Sequence, residues 1–465
     1  MGALGCYCLL SAIVLGAQNP PQTTTSEPVA IVNVTTLTMN DSLRRPAQTV
    51  LIANGMIVRV GPESEVAIPS GVRRVDGRGK YLIPGLADMH VHFGRSDSVN
   101  GALGLLFVAH GVTTVFNMRG SPDHLRLREQ FATGVRLGPT MVTTGPIWND
   151  STLTFADGER IATEDAAAGY QYIKVYNQLS RPAYWGIVST ARRIGIPVVG
   201  HVVRGLGPDG LNRCEPTRIV CFCASCLETT LTSGQANIVH MEEVMYGHFN
   251  HHATKNRRSS SDLLPEIPAL ARRVAQSGIW ITPTLEVFLN IPRQLDSLPQ
   301  LMAGDEMRMV PPGMRGSWGA GTNPYHRAFK PTDAAAFWDL GDFAKALVKG
   351  FQDAGVRLLA GTDVGVPAVV AGPSLHRELK HFVAAGPSPY EGLLTATRNP
   401  AAFIDDPTHR GTITVGSRAD LVLLDADPLQ DIGNVGRVAG VVLRGRWLPR
   451  ADLGRMVDSL IASYP

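Results

Sequence analysis

Tyr81-Leu-Ile-Pro-Gly-Leu-Ala-Asp-Met-His-Val-His-Phe93 is an apolar run broken by Pro84-Gly85 and ended by two histidines with one residue between them. The residues around the break read as short strands, and on a strand residues i and i+2 leave the same face. His90 and His92 therefore project together, close enough to share one metal ion. A chain with 13 histidines can show His-x-His by chance, so the metal reading depends on further ligands at other strand ends.

Downstream, short apolar runs alternate with helical stretches, the pattern of βαβ units and a parallel sheet. Strand candidates fall at residues 86–92, 112–117, 140–144, 172–176, 198–201, 238–241, 280–284 and 357–362. Eight of them predict a (β/α)8 TIM barrel, whose functional groups stand at the C-terminal ends of the strands. Before it, residues 30–37, 49–53 and 56–60 read as strands, with the hairpin signal Asn54-Gly55 between the last two. After it, residues 419–425 and 438–444 read the same way. The expected plan is a small β-sandwich built from both termini, 28–83 and 406–450, beside a barrel over 84–405, with a C-terminal helix or tail over 451–465.

A chain of 465 residues is long for one ordinary domain but fits a barrel with an added module. Its 44% hydrophobic residues supply the cores, and a net charge of +3 without a basic run gives no reason to expect nucleic acid. Residues 1–17 are apolar, too short to span a bilayer, and end in small residues, so they read as a signal peptide and predict export to the periplasm or beyond. No Lys or Arg precedes the run; the alternative is a buried N-terminal helix in a cytoplasmic protein. No membrane span is expected. Two segments exceed ordinary loop lengths, 204–235 and 286–337, and both read as lids over the barrel mouth or as packing contacts. The first carries Cys214, Cys221, Cys223 and Cys226, which in an exported chain predict disulfides, with a structural zinc site as the alternative.

Lys174 lies between Ile173 and Val175, so it points into the barrel if they point out. A buried lysine is costly unless paired or modified. Burial lowers its pKa, and the neutral amine can add carbon dioxide to become a carbamate that bridges two metal ions. The ordinary alternative is a buried Lys–carboxylate pair. His201 and His240 end the next two strands, and Asp363 ends the last. Four histidines, one lysine and one aspartate at the ends of five strands predict a metal centre.

These motifs resemble the amidohydrolase superfamily, in its imidazolonepropionase-like and prolidase-like group with a binuclear centre. The resemblance covers nearly everything from Val29 to Arg446, including Gly111-Val-Thr-Thr, Thr282-Pro-Thr, Ala360-Gly-Thr-Asp and Gly416-Ser-Arg-Ala-Asp-Leu-Val-Leu-Leu-Asp. It implies that His90, His92 and Asp363 hold the more buried ion and His201 and His240 the more exposed one, with Lys174 as its carbamate between them. It also implies two divalent ions, zinc by ligand type, sharing a hydroxide that attacks a carbonyl. Asp363 would take the proton of the nucleophile and pass it to the leaving group. The implied substrate is a small-molecule amide: a peptide, an N-acyl amino acid or an aryl amide of the ochratoxin type. The implied assembly is a homo-oligomer. An esterase, lactonase or phosphotriesterase on the same centre is the alternative, and a non-catalytic scaffold a further one. A deaminase fits less well, because many such members use one metal and lack the lysine.

Dipeptidases of this group resemble each other in a Gly-Gly-His-Gly-like loop and a tyrosine after the fifth-strand histidine. Here Thr144-Gly-Pro-Ile-Trp-Asn-Asp150 and Val202 stand there, so that clamp on a dipeptide carboxylate is not expected. Tyr176 shares the face of Lys174 and is a candidate substrate donor, with Trp148 and Arg204 as further pocket candidates. His376 and Glu378 read as helix residues that support the site or face solvent.

Overall fold

The computed structural model describes residues 27–204, 224–249, 259–406, 408 and 410–465. The strands β1 (Val29–Thr36), β2 (Arg45–Ala53), β3 (Met56–Pro62), β4 (Arg73–Asp76) and β5 (Tyr81–Pro84) come first. Next come β6 (Leu86–Val91), β7 (Val112–Asn117), β8 (Thr140–Trp148), β9 (Tyr172–Val175), β10 (Val198–Gly200), β11 (Asn237–Val239), β12 (Trp280–Thr282) and β13 (Arg357–Leu358). The last three are β14 (Leu421–Leu424), β15 (Val438–Leu443) and β16 (Arg446–Pro449).

Strands β6 to β13 lie side by side in chain order, every pair parallel. The ends meet: the Met89 N–H donates to the Ala360 carbonyl at 2.9 Å, and the Asp363 N–H to the His90 carbonyl at 2.7 Å. This closure is what makes the parallel sheet a TIM barrel. On β9, Ile173 and Val175 pack outward with the helices, while Tyr172 joins Phe116, Val142, Val199 and Val239 inside. The alternation therefore turns Lys174 inward, as its spacing predicts. Helices are bounded by local signals; in Arg181–Ile194, for example, the Ser180 side chain accepts from the Ala183 N–H and Gly195 ends the helix at φ 78°.

The remaining strands form one sheet in the order β16-β15-β14-β5-β1-β2-β3, so both termini do build one β module. The expected sandwich is hydrogen-bonded as a single forked sheet. The fork is at β1, which pairs with β4 along Val29–Val32 and with β5 at Thr35 and Thr36. Both faces are apolar: Ile31, Val50 and Leu421 share one cluster, and Ala30, Leu51 and Val66 another. Asn54 and Gly55 adopt φ 52° and 78°, as the predicted two-residue hairpin requires. The sheets join at Pro84-Gly85, where a Cβ on Gly85 would stand 2.1 Å from Oγ1 of Thr113. Only glycine lets the chain pass from β5 into β6 there.

The segment expected as a long loop from 286 to 337 is largely helical. It contains Leu285–Met302, Pro312–Ser317 and Pro324–Ala328, and leads into Ala334–Asp353. Pro292 and Pro299 argue against a helix in sequence, but burial of Leu285, Phe288, Leu289 and Leu295 outweighs them, with a kink at Ser297. The C-terminal residues form the helix Arg450–Ala462. Among the described residues no helix is long and apolar enough to cross a membrane. The proposed signal peptide and Cys214, Cys221 and Cys223 lie outside the described residues; Cys226 is buried and disulfide-bonded.

Candidate metal centre

The barrel brings the six ligand candidates to one end. Nε2 of His90 and Nε2 of His92 approach to 3.3 Å, with Oδ1 of Asp363 at 3.4 and 2.9 Å from them. Nε2 of His240 lies 4.0 Å from Oδ2 of the same carboxylate. The His240 ring stands 4.6 Å from that of His90 and 4.8 Å from that of His201, centroid to centroid. Lys174 is fully buried, and its Nζ has no hydrogen-bond partner among the described residues.

The backbone makes this convergence by unusual means. His240, directly after β11, and Asp363, on the irregular chain beyond β13, which ends at Leu358 rather than running to 362 as the sequence predicts, both have positive φ, 68° and 64°. Such conformations are uncommon outside glycine and concentrate at functional sites. Gly361 allows β13 to approach β6: a Cβ there would stand 2.9 Å from the backbone N and the Cβ of His90.

The electrostatics suit a cation. Burial, with Lys174 and the neighbouring imidazoles, pushes His90 and His201 well below the usual histidine range. Burial also takes His240 down to about 4, with Asp363 opposing. All three are therefore neutral, with lone pairs to offer. Burial pushes Lys174 down to about 7, Asp363 and Glu243 opposing. Burial would raise Asp363, but the nearby His92, His240 and Lys174 outweigh it and hold the carboxyl ionised. His90, His92 and Asp363 form one potential ion-holding group, and His201, Glu242 and Glu243 another. The donors fit divalent metal ions of the zinc type. The buried Lys–carboxylate pair that would explain Lys174 otherwise is not formed with any described residue.

The pocket candidates separate. Tyr176 sits against the site, its ring 3.8 Å from that of His201. Burial and then the carboxylates Glu242, Glu243 and Asp363 raise its pKa, so its phenol stays a donor. Trp148 donates its indole N–H to Asp165 at 2.9 Å, and its polar handle is committed there. Arg204 is also committed: it is buried, donates to Glu243 at 3.0 Å and stacks over Tyr246. This pairing gives Arg204 a partner beside His201 that sequence spacing could not identify. Arg204→Met is therefore expected to destabilise the fold by about 3–5 kcal/mol, because it strands a buried carboxylate. Arg204→Met with Glu243→Leu should recover most of that in denaturant unfolding. A single variant of unchanged stability but raised KM would return Arg204 to the pocket.

Sequence reasoning missed Thr284, whose hydroxyl lies 2.8 Å from Nδ1 of His240, and Glu242 and Glu243 beside His201. The available signal for the carboxylates was the run His240-Met-Glu-Glu243 directly after a strand.

The model of the Amidohydrolase family matches residues 81–448, which includes every ligand candidate. The chain belongs to the amidohydrolase family. Bottromycin amidohydrolase has a similar fold, with a TM-score of 0.70, 22% identity and coverage of 95% of this chain and 91% of that one. A Xaa-Pro dipeptidase with methionine in its active site gives a TM-score of 0.66 at 15% identity, over 91% of this chain and all (100%) of that one. Among curated proteins, an adenine deaminase of Paracoccus denitrificans is 28% identical over 72 residues, 16% of this chain. That match spans only 12% of the deaminase. As an amidohydrolase-family member, the chain carries a barrel with candidate ligand groups brought together at one end.

Proposed function

We propose that this chain is a metal-dependent hydrolase that cleaves an amide C–N bond in a small molecule, with two divalent ions held by His90, His92, Lys174, His201, His240 and Asp363. One observation carries the reading: a fully buried lysine amine with no hydrogen-bond partner among the described residues, set among four histidines and an aspartate. A neutral lysine amine that adds carbon dioxide, releasing one proton, gains the negative charge and the oxygens this position lacks. Bound there, the ions supply Lewis-acid polarisation of a carbonyl and an activated water at neutral pH. The residues do the rest. Asp363, steadied by His92 at 2.9 Å, accepts a proton from the attacking water and delivers it to the leaving nitrogen. Tyr176, kept protonated, donates to a substrate oxygen beside His201.

The name of bottromycin amidohydrolase and that of the Xaa-Pro dipeptidase agree with an amide substrate. Val202 in place of a tyrosine, and Arg204 bound to Glu243, point away from a clamp on a dipeptide carboxylate. N-acyl amino acids and aryl amides fit better. The N-terminal run fits an exported enzyme, and mature N-terminal sequencing would test that.

The experiment is a hydrolysis screen of zinc-loaded protein over dipeptides, N-acyl amino acids, aryl amides including ochratoxin A, and lactones. Turnover of one amide class that is absent in Lys174→Ala is the expected result. Turnover of esters or lactones alone would put the alternative hydrolase first.

A further inference from the structure

Thr284 stands immediately before the helix Leu285–Met302, where a threonine hydroxyl ordinarily accepts the first free N–H groups of a helix. Here it makes no capping bond, and its backbone is left-handed at φ 51°, ψ 50°, an unfavourable state for a β-branched residue. The hydroxyl turns instead to His240, with Oγ1 2.8 Å from Nδ1. The helix N–H groups it leaves behind go to Glu378, on the helix Pro373–Ala385. Oε1 of Glu378 accepts from the Leu285 N–H at 3.1 Å and Oε2 from the Glu286 N–H at 2.6 Å.

The arrangement is buried and braced. Thr284 and Glu378 are both fully inaccessible. Glu286, one turn-position on, is held by Arg377 at 2.6 Å and by His381 at 2.9 Å, both from the helix of Glu378. Of the four clustered imidazoles, His240 is the one whose Nδ1 has a partner among the described residues; Nδ1 of His90, His92 and His201 has none. A hydrogen bond at one ring nitrogen fixes the tautomer and aims the other.

We propose that Glu378 and Thr284 are a positioning pair for His240: Glu378 takes over the helix cap, which leaves the Thr284 hydroxyl to accept from Nδ1–H and keep the Nε2 lone pair turned into the site. The pair would thereby set the affinity of the ion shared by His201 and His240, an inference that rests on the two-ion reading above. It makes the helix Pro373–Ala385 part of the metal centre through its contact with the start of the helix Leu285–Met302.

The test is metal binding itself. Metal-free wild type, Thr284→Ala, Thr284→Ser and Glu378→Gln are titrated with Co2+, followed by calorimetry and by visible absorption. Thr284→Ala and Glu378→Gln are expected to weaken one of the two ions about 10–100-fold and leave the other unchanged. Thr284→Ser, which keeps the hydroxyl, should bind both as wild type does. Unchanged affinities in Thr284→Ala overturn the proposal, as does an equal weakening of both ions, the sign of general loosening. If Glu378→Gln does not fold, the Thr284 variants decide. A wild type that binds a single ion would instead overturn the two-ion reading, a separate result.

Discussion

Asp363→Asn is expected to lower kcat by about 10^2–10^4-fold, the range for loss of a positioned proton-transfer group, with little change in fold. The substitution is chosen for its backbone. Asp363 sits at φ 64°, and asparagine tolerates that conformation as well as aspartate does, whereas alanine would add strain. The structural cost is therefore small and the chemical cost large. The carboxylate faces three imidazoles, with Oδ1 2.9 Å from His92 and 3.4 Å from His90 and Oδ2 4.0 Å from His240. An amide there brings N–H groups against lone pairs that offer themselves to a cation, and it cannot take up a proton from water. The check is kcat on the amide class found in the screen, together with bound metal per chain and a thermal melt. Activity within tenfold of wild type, with metal content unchanged, would remove Asp363 from the proton path.

Much of this site is legible in sequence because it depends on strand ends. His201 and His240 each directly follow a short apolar strand, and Asp363 follows the run Leu358-Leu-Ala, of which Leu358 alone is strand, so all three come to the C-terminal end of the barrel. Lys174 is legible through alternation: Ile173 and Val175 face the helices, so the lysine faces inward. The illegible part depends on pairings across sequence. Thr284 meets His240 from 44 residues away, and Glu378 reaches the Leu285 N–H across 93. Thr284 falls in the motif Thr282-Pro-Thr and Glu378 on a helix read as supporting the site, but no local pattern names the partner of either. Arg204 shows the same limit: its partner Glu243 lies 39 residues away, and nothing in the spacing identifies it. The helix Leu285–Met302 was hidden by its two prolines, whose local cost is exceeded by the apolar face it buries.

Lys174→Ala is expected to lower turnover by about 10^2-fold or more and, on the proposed two-ion reading, to release one of the two ions. The variant alone does not tell a carbamate from an amine, because both are removed. The distinction comes from carbon dioxide. Wild-type protein stripped of metal and refilled in carbon dioxide-free buffer should recover little activity until bicarbonate is added. Lys174→Ala should show no response to bicarbonate. It should instead respond to formate or acetate, since truncating a fully buried side chain opens a cavity beside the ligands where a small carboxylate can supply the missing oxygens. A second variant separates chemistry from packing. Lys174→Met keeps the volume and removes an amine that has no hydrogen-bond partner among the described residues, so the metal-free protein should melt no lower than wild type. The same variant loaded with zinc should melt lower than loaded wild type, because an ion that binds the folded state less tightly stabilises it less. If refilled wild type is fully active without bicarbonate, Lys174 works as a plain amine and the carbamate reading is overturned.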